Sequence, residues 1–305
     1  MFWGSETFNP DKDIPDLAGR VIIVTGGNIG LGLETVRQLA RHNPARIYLA
    51  ARSQEKGEEA IKKLQTANPK AAPISFLSLD LTSFESIKAA VQTFQNAETR
   101  LDILVNNAGI MMSPEGLTKE GYEIQFGTNH VGHAYLTQLL LPLLQQTAKI
   151  NPETRVVTVS SGLANMAPND IYKPDELKTT MSSRSPTARY SISKVANIHY
   201  SLALAERYKD IKFIVLHPGA VQSNLRHNVS GFWMSLVMTS VVDHLVTPVE
   251  KGVLTQLWAA VSPDAINGGI YKPTAAPWKS SKQSMDRKLQ EQLWNWTQEQ
   301  FIGHV

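Results

Sequence analysis

The sequence predicts a doubly wound α/β fold, in which a parallel sheet is flanked by helices. Two observations lead to this prediction. Short apolar runs rich in β-branched residues alternate with longer stretches of helical periodicity. The runs are also apolar throughout, which is typical of parallel strands that helices cover on both faces. Right-handed crossovers between such strands give a Rossmann fold.

The predicted elements follow one another without a break through most of the chain. No repeat, low-complexity tract or linker interrupts them before Pro218. We therefore expect a single domain over residues 1–305, with its core at about 18–275. The predicted strands are residues 20–25, 46–51, 74–80, 101–106, 155–160 and 212–217, and the predicted helices include 31–42, 56–66 and 187–208.

The alternation stops after the sixth strand, where we expect a substrate-lid region. Residues 222–250 and the stretch 162–189 are the predicted substrate loops. The largely apolar residues 231–246 could form a buried core helix, a lid or a patch that rests on a membrane. The tail at 281–300 places apolar residues among charges, which predicts an amphipathic C-terminal helix that packs back on the domain.

Composition and charge exclude several classes of protein. The chain is 42% hydrophobic and 19% charged, so it can bury a sizeable core. Its net charge of +3 is spread without a basic stripe, which argues against nucleic-acid binding. The absence of cysteine excludes disulfides, thiolate catalysis and cysteine-ligated metals. With no signal peptide or transmembrane pattern, we expect a cytoplasmic protein, and peripheral membrane contact stays open.

A glycine-rich turn links the first predicted strand to the first helix. Glycine allows positive φ and lets the backbone and a helix N-terminus approach a pyrophosphate closely. Because the turn lies inside a βαβ unit, the sequence favours a phosphate cradle over an ordinary turn. The residues expected to bind the cofactor here are Thr25, Gly26, Asn28, Ile29, Gly30 and Gly32.

The end of the second strand indicates which dinucleotide binds. An NAD site is expected to place Asp or Glu there, but this strand ends in Ala51 and Arg52. Arg52 can bind a 2′-phosphate, which predicts NADP(H); a solvated arginine is the alternative. Asp80, followed by Leu81, ends the third strand and is expected at the adenine amine. Its alternative role is a helix N-cap.

Tyr190 and Lys194 lie four residues apart in a predicted helix, which places both side chains on one helix face. A nearby cation favours phenolate, so we expect a lowered pKa for Tyr190. The phenol could then exchange a proton with a reacting hydroxyl near neutral pH. The same spacing alone is common as a surface pair, so its significance depends on the motifs around it.

Together these segments resemble the short-chain dehydrogenase/reductase family over roughly residues 18–275. The matching motifs occur in the family's order: Thr25 to Gly32, Asn106-Asn107-Ala108-Gly109, Asn129, Ser160-Ser161, Tyr190 with Lys194, and His217-Pro218-Gly219.

This resemblance implies a role for each catalytic candidate. Tyr190 would be the general acid or base, and Lys194 would lower its pKa and bind the nicotinamide ribose. Ser161, or alternatively Ser160, would hydrogen-bond the carbonyl or alkoxide oxygen. Asn129 would hold a water in a proton relay.

The resemblance also implies cofactor contacts after the fourth and sixth strands. Asn106 would either contact the cofactor or close its strand end. His217 is expected to be structural, and His130 and His133 lack a third ligand, so no metal is predicted. The remaining expected cofactor contacts are Leu81, Asn107, Ala108, Gly109, Tyr190, Pro218, Gly219, Val221 and Ser223.

One departure from compact members of the family is informative. Twenty-eight residues, 162–189, separate Ser161 from Tyr190. This length, with Ala-Ala-Arg after the second strand, resembles the retinol-dehydrogenase and WW-domain-oxidoreductase-like subset. Retinol-active members of that subset often carry an N-terminal hydrophobic anchor, a pattern that the start of this chain does not show.

The sequence therefore predicts an NADPH-dependent oxidoreductase acting on a lipophilic ketone, aldehyde or secondary alcohol. The alternative is a non-catalytic NADP-binding redox sensor or scaffold. A homodimer or homotetramer formed through the tyrosine-bearing helix is conceivable, although the Trp-rich tail could cover that surface.

Overall fold

The architecture is that of one twisted sheet with helices on both faces. A computed structural model describes residues 8–221 and 247–304. Its strands are β1 (Val21–Thr25), β2 (Arg46–Ala51), β3 (Ile74–Ser78), β4 (Ile103–Asn106), β5 (Arg155–Val159), β6 (Lys212–Leu216), β7 (Ile270–Lys272) and β8 (Ala276–Pro277). Their order in the sheet is β3-β2-β1-β4-β5-β6-β7-β8, with β8 antiparallel to β7 and the other pairs parallel.

The predicted doubly wound α/β class is confirmed, and all six predicted strands are present with ends that differ by at most two residues. The α-helices are α1 (Pro10–Asp13), α2 (Gly30–Leu39), α3 (Gln54–Ala67), α4 (Phe84–Ala97), α5 (Ile124–Phe126), α6 (Gly132–Ala148), α7 (Pro174–Leu177), α8 (Pro186–Arg207), α9 (Val249–Gly252), α10 (Leu254–Val261) and α11 (Arg287–Phe301).

Apolar side chains form a core on each face of the sheet. On one face α4, α6, α8 and α11 pack together, and Phe94, Leu140 and Leu293 are buried there. On the other face α2, α3 and α10 bury Val36 and Leu257 against the strands. Because both faces of the central strands are covered, these strands read as continuous apolar runs in the sequence.

Three loop and tail predictions have different outcomes. The stretch 162–189 contains a 3₁₀ turn (Gly162–Met166) and α7 before α8 begins, as expected for short extra elements. The C-terminal helix begins at Arg287 rather than at 281, because the side chain of Asp286 caps it by accepting from the Lys288 backbone N–H. The predicted lid at 222–250 falls mostly on residues 222–246, outside the described residues.

The C-terminal helix packs back on the domain, as the sequence predicts. Trp294 stacks on Tyr200 of α8 with ring centroids 5.4 Å apart, and the Arg207 guanidinium lies 4.2 Å from the Trp294 ring. In the described part of the chain, every helix is too short or too polar to cross a membrane.

Candidate active site

The glycine turn lies at the carboxyl end of β1, where α2 begins. Gly26 and Gly30 have φ values of +63° and +56°, a region that favours glycine. At Gly32 a Cβ would lie 2.2 Å from the Gly26 carbonyl oxygen, so a side chain there would displace the turn. The N-cap residue of α2, Ile29, makes no side-chain capping bond, which leaves the first backbone N–H groups of the helix available to a ligand.

Thr25 ties this turn to the end of β4. Its hydroxyl oxygen accepts from the backbone N–H groups of Asn107 (3.0 Å) and Ala108 (2.9 Å). The Asn107 side-chain amide donates to the Thr25 carbonyl (2.8 Å), and its amide oxygen accepts from Gln256 (3.3 Å). The side chain of Asn107 is thus occupied by the protein itself, and its place beside the turn comes from this bonding.

The residues expected at the adenosine half lie along the same edge. Arg52 is exposed directly after β2. One carboxylate oxygen of Asp80 accepts from both the N–H and the hydroxyl of Thr82, at 2.9 and 2.7 Å. The N-cap alternative for Asp80 is wrong, because Ser83 caps α4 by accepting from Ser86. Leu81 is buried, and its carbonyl lies so close to Gly132 that a Cβ there would approach it to 2.3 Å.

Tyr190, Lys194 and Ser161 meet where α8 crosses the end of β5. The Lys194 Nζ donates to the Val159 carbonyl (3.1 Å) and lies 5.7 Å from the centre of the Tyr190 ring. The side chain of Ser161 lies near enough to the Tyr190 hydroxyl to lower its pKa, and its oxygen accepts from the Leu163 backbone N–H (3.2 Å). The hydroxyl of Ser160 instead donates to the Lys194 carbonyl (2.7 Å) and is buried, so Ser161 is the serine beside the tyrosine.

Burial dominates the electrostatics of this cluster. It raises the pKa of Tyr190 to about 12, and the nearby Ser161 side chain opposes that shift. The expectation of a lowered pKa for Tyr190 is therefore wrong for this structure: removal of the phenol from water is the larger effect, and Tyr190 is protonated at neutral pH. Burial also lowers the pKa of Lys194 to about 8, because it disfavours the ammonium form.

Asn129 lies in a π-helical turn, Gly127–Val131, that joins α5 to α6. Such turns widen a helix locally and occur frequently at functional sites. The Asn129 amide makes two bonds with the Ile110 backbone, accepting from its N–H (2.8 Å) and donating to its carbonyl (2.9 Å). It also donates to the Ser193 hydroxyl (2.9 Å), which in turn donates to the Tyr190 carbonyl (2.7 Å).

The loop after β4 also passes close to this cluster at Gly109. A Cβ on Gly109 would lie 3.1 Å from the Asn129 amide oxygen and 3.5 Å from the Lys194 Nζ. The neighbouring Asn106 is buried, and its side-chain amide donates to the Thr137 hydroxyl (3.0 Å). This bond closes the end of β4, which is the second of the two roles that the sequence left open for Asn106.

The segment after β6 completes the edge. Gly219 has φ of +84°, and its N–H donates to the His217 ring (3.2 Å). That ring packs edge-on against Trp278, with centroids 4.4 Å apart, so the contacts of His217 are structural. Pro218 is half-buried beside it, and Val221 is buried. Ser223 lies outside the described residues.

The structure adds a buried ion pair that the sequence does not signal. Arg189, directly before Tyr190, donates to Glu123 (3.0 Å) and to the Ser113 carbonyl (3.3 Å). Burial raises the pKa of Glu123, and the positive charge of Arg189 acts in the opposite direction. The pair fixes the start of α8 to the loop that follows β4.

The mainly parallel sheet and the glycine turn define a dinucleotide-fold protein, and the serine, tyrosine and lysine near this turn form its candidate acid–base site. Comparisons with known proteins agree. A family model described as short chain dehydrogenase matches residues 20–172. A short-chain dehydrogenase/reductase of Armillaria gallica is 41% identical over 93% of this chain and 91% of that protein. Retinol dehydrogenase 12 of Mus musculus is 33% identical over 92% of this chain and 85% of that protein.

A solved structure agrees as well. A protein of Mycobacterium paratuberculosis superposes with a TM-score of 0.73 at 30% identity, over 96% of this chain and 97% of that one. The chain belongs to the short-chain dehydrogenase/reductase family and is an oxidoreductase of that family. The predicted similarity to its retinol-dehydrogenase-like subset is confirmed.

Proposed function

We propose that this protein is an NADP(H)-dependent oxidoreductase that interconverts a lipophilic ketone or aldehyde and its alcohol. The observation that carries the proposal is the convergence of Ser161, Tyr190 and Lys194 beside the glycine turn. A phenol that is protonated at neutral pH, beside a serine side chain and close to a buried ammonium group, is suited to donate a proton to a carbonyl oxygen.

The residues at the carboxyl edge of the sheet fit a dinucleotide. The glycines leave room for a pyrophosphate where a side chain would fill it, and the uncapped start of α2 offers backbone N–H donors. Nothing approaches within 4 Å of the position that a Cβ on Gly30 would take. Bound here, the nicotinamide would supply or accept the hydride.

We propose that Arg52 determines the preference for NADP(H) over NAD(H). It stands at the end of β2, where an NAD site is expected to place a carboxylate, and it is exposed to solvent. A guanidinium group binds a phosphate in a bidentate manner, so Arg52 would attract the 2′-phosphate of NADP(H). Asp80 has one carboxylate oxygen engaged by Thr82, and the other oxygen is proposed to accept from the adenine amine.

The chain's own groups account for the proton and the developing charge. Tyr190 would donate its phenolic proton to the carbonyl oxygen in reduction and take it back in oxidation. Ser161 would hold that oxygen by a hydrogen bond, which is strongest when negative charge develops there. The positive charge of Lys194 would stabilise the phenolate that remains after proton transfer. Lys194 would also hold the ribose. Asn129, fixed to Ile110 and Ser193, would position the relay that restores the proton.

The substrate class is proposed from exposed apolar residues in the segments that follow β4 and β5. Met166, in the stretch between Ser161 and Tyr190, is 64% exposed, and Met111 and Met112 are partly exposed after the β4 loop. Methionine adapts to irregular apolar ligands. The name of the related retinol dehydrogenase agrees with a lipophilic alcohol or aldehyde.

The cytoplasmic location and any homo-oligomer remain expectations of the sequence.

A nucleotide titration tests the cofactor, followed by fluorescence enhancement of the reduced nicotinamide. We expect NADPH to bind at least 10-fold more tightly than NADH, and Arg52→Ala to remove most of that preference, since a charge-assisted bond is worth roughly 1.5–3 kcal/mol. Arg46→Ala is the matched control, because Arg46 begins the same strand at the opposite edge and pairs with Glu98 there. It should leave the preference unchanged.

A turnover assay tests the reaction. Purified protein should consume NADPH with 4-nitrobenzaldehyde or retinaldehyde. Tight NADPH binding without turnover of these or other lipophilic carbonyls would favour the non-catalytic alternative. An NADH preference would overturn the role of Arg52, and the absence of nucleotide binding would overturn the proposed function.

A further inference from the structure

His133 lies between the glycine turn and the π-helical turn, and both of its ring nitrogens are engaged. The Nε2 lies 2.9 Å from the Thr25 hydroxyl, and the Nδ1 lies 3.0 Å from the Asn129 carbonyl oxygen. The side chain is buried, with 4% of its surface exposed. Burial lowers the pKa of His133 to about 4, so that the ring is neutral at physiological pH.

The partners fix the tautomer of the neutral ring. A carbonyl oxygen only accepts, so the Nδ1 must carry the proton and donate to Asn129. The Nε2 is then the acceptor, and at 2.9 Å it lies nearer to the Thr25 hydroxyl than the other acceptor, the Val105 carbonyl oxygen at 3.3 Å. This orientation leaves the Thr25 oxygen lone pairs free to accept from the N–H groups of Asn107 and Ala108.

Each end of this link reaches a different part of the site. Thr25 holds the loop after β4 against the phosphate cradle. The Asn129 carbonyl belongs to the residue whose amide orients Ile110 and Ser193. This carbonyl belongs to the π-helical turn Gly127–Val131, and the His133 ring Nδ1 lies 3.0 Å from its oxygen. The ring thereby links α6 to the widened turn that carries Asn129.

We propose that His133 is a positioning residue that connects the dinucleotide cradle to Asn129, with its Nε2 fixing the geometry of the cradle and its Nδ1 fixing that of Asn129. This inference rests on the proposed function. His133 does not touch the reacting atoms; it acts through Thr25 on nucleotide binding and through Asn129 on the acid–base cluster.

Two substitutions separate the two ends of the link. The side-chain amide of asparagine reaches the position of the Nδ1, so His133→Asn can keep the bond to the Asn129 carbonyl and lose the bond to Thr25. The longer glutamine places its amide near the Nε2 position, so His133→Gln can keep the Thr25 bond and lose the other. His133→Leu removes both.

The experiment measures three quantities for each variant: the NADPH dissociation constant, the hydrogen-exchange protection of the Ile110 N–H, and kcat with 4-nitrobenzaldehyde. We expect His133→Asn to weaken NADPH binding about 3- to 10-fold while protection of Ile110 and kcat stay near wild type. His133→Gln should show the reverse, with Ile110 protection and kcat lowered by a similar factor. His133→Leu should show both losses.

His130→Leu is the matched control. His130 is also buried on this helix, and burial lowers its pKa to about 3, but its Nε2 contacts Thr297 of α11 (3.2 Å) rather than the site. Its replacement should lower the unfolding temperature and leave NADPH binding and Ile110 protection unchanged.

The results can overturn the inference in two ways. If all three His133 variants lose stability alone, as His130→Leu is expected to, His133 is structural. If the asparagine and glutamine variants lose both functions equally, the two ends do not act separately. Failure of the wild type to bind NADPH would be a failure of the proposed function, and the Ile110 protection of the variants would still decide the link between His133 and Asn129.

Discussion

Buried charge is paired with opposite charge at the amino edge of the sheet and is not paired in this way at the carboxyl edge. At the amino edge, Asp102 is fully buried and accepts from the Val21 N–H, from Arg100 and from Asn151, at 2.6–2.9 Å. At the carboxyl edge, Lys194 is also buried, but the partner of its Nζ among the described residues is a backbone carbonyl, that of Val159.

This difference separates a structural network from a candidate site. Charges at the amino edge neutralise each other, so removal of one partner should cost stability. The Lys194 ammonium has no carboxylate beside it among the described residues, and burial alone lowers its pKa to about 8. A buried cation without a counter-charge opposes folding, and strongly shifted groups of this kind concentrate at functional sites.

The largest expected effect is on turnover at the carboxyl edge. Tyr190→Phe removes the proposed proton donor and should lower kcat by about 10²- to 10⁴-fold, the usual contribution of general acid–base catalysis. Tyr200→Phe is the matched control, because it removes a buried hydroxyl from the same helix at a distance from Ser161. Steady-state rates with NADPH and thermal unfolding check both variants. Full turnover by Tyr190→Phe would contradict the role assigned to the phenol.

A slightly smaller effect, on stability, is expected at the amino edge. Asp102→Ala leaves the Val21 N–H and two arginines without their acceptor, and should lower the free energy of unfolding by about 3 kcal/mol. We take the lower end of the usual range because Arg20 and Arg100 are each 30% exposed. Urea unfolding measures the loss. The rate per folded molecule should be unchanged; a variant that is stable but inactive would break the distinction between the edges.

The smallest effect is a pH dependence of stability caused by Lys194. Its pKa is about 8 in the folded protein and 10.5 in the unfolded chain, so between these values the unfolded state binds more protons. Stability should therefore rise with pH in this window, by about 1 kcal/mol between pH 8 and 9. Lys194→Met should lack this rise. Urea unfolding of both proteins at each pH is the measurement, and parallel curves would show that Lys194 is not the cause.

The corresponding effect on activity has the opposite sign. The ammonium form of Lys194 predominates below about pH 8 and is lost above it. If its charge stabilises the phenolate as proposed, kcat should fall as the pH rises through 8.

Much of the fold and the cofactor side of the candidate site follows from short-range signals. Apolar runs locate the strands, and the glycines of the turn are required by positive φ at Gly26 and Gly30 and by the close approach at Gly32. The four-residue spacing of Tyr190 and Lys194 places them on one helix face wherever the helix lies. These features depend on a few consecutive residues, so the sequence shows them directly.

The remaining features depend on contacts between distant segments. Ser161, rather than Ser160, meets Tyr190 because α8 packs against the end of β5 and the Lys194 carbonyl takes the Ser160 hydroxyl. The Arg189–Glu123 pair joins residues 66 apart, and the contact of His133 with Thr25 joins residues 108 apart. No local pattern in the sequence predicts either contact.

The sequence by itself determined which segments form strands, the glycine-rich turn and the tyrosine–lysine spacing. Each of these is set by backbone sterics and by helix or strand periodicity. The tertiary structure alone decided the protonation of Tyr190, the π-helical turn at Asn129 and the neutral state of His133. The physical reason is the same in each case: how far a group is removed from water, and which partners meet it, are fixed only when distant segments pack together.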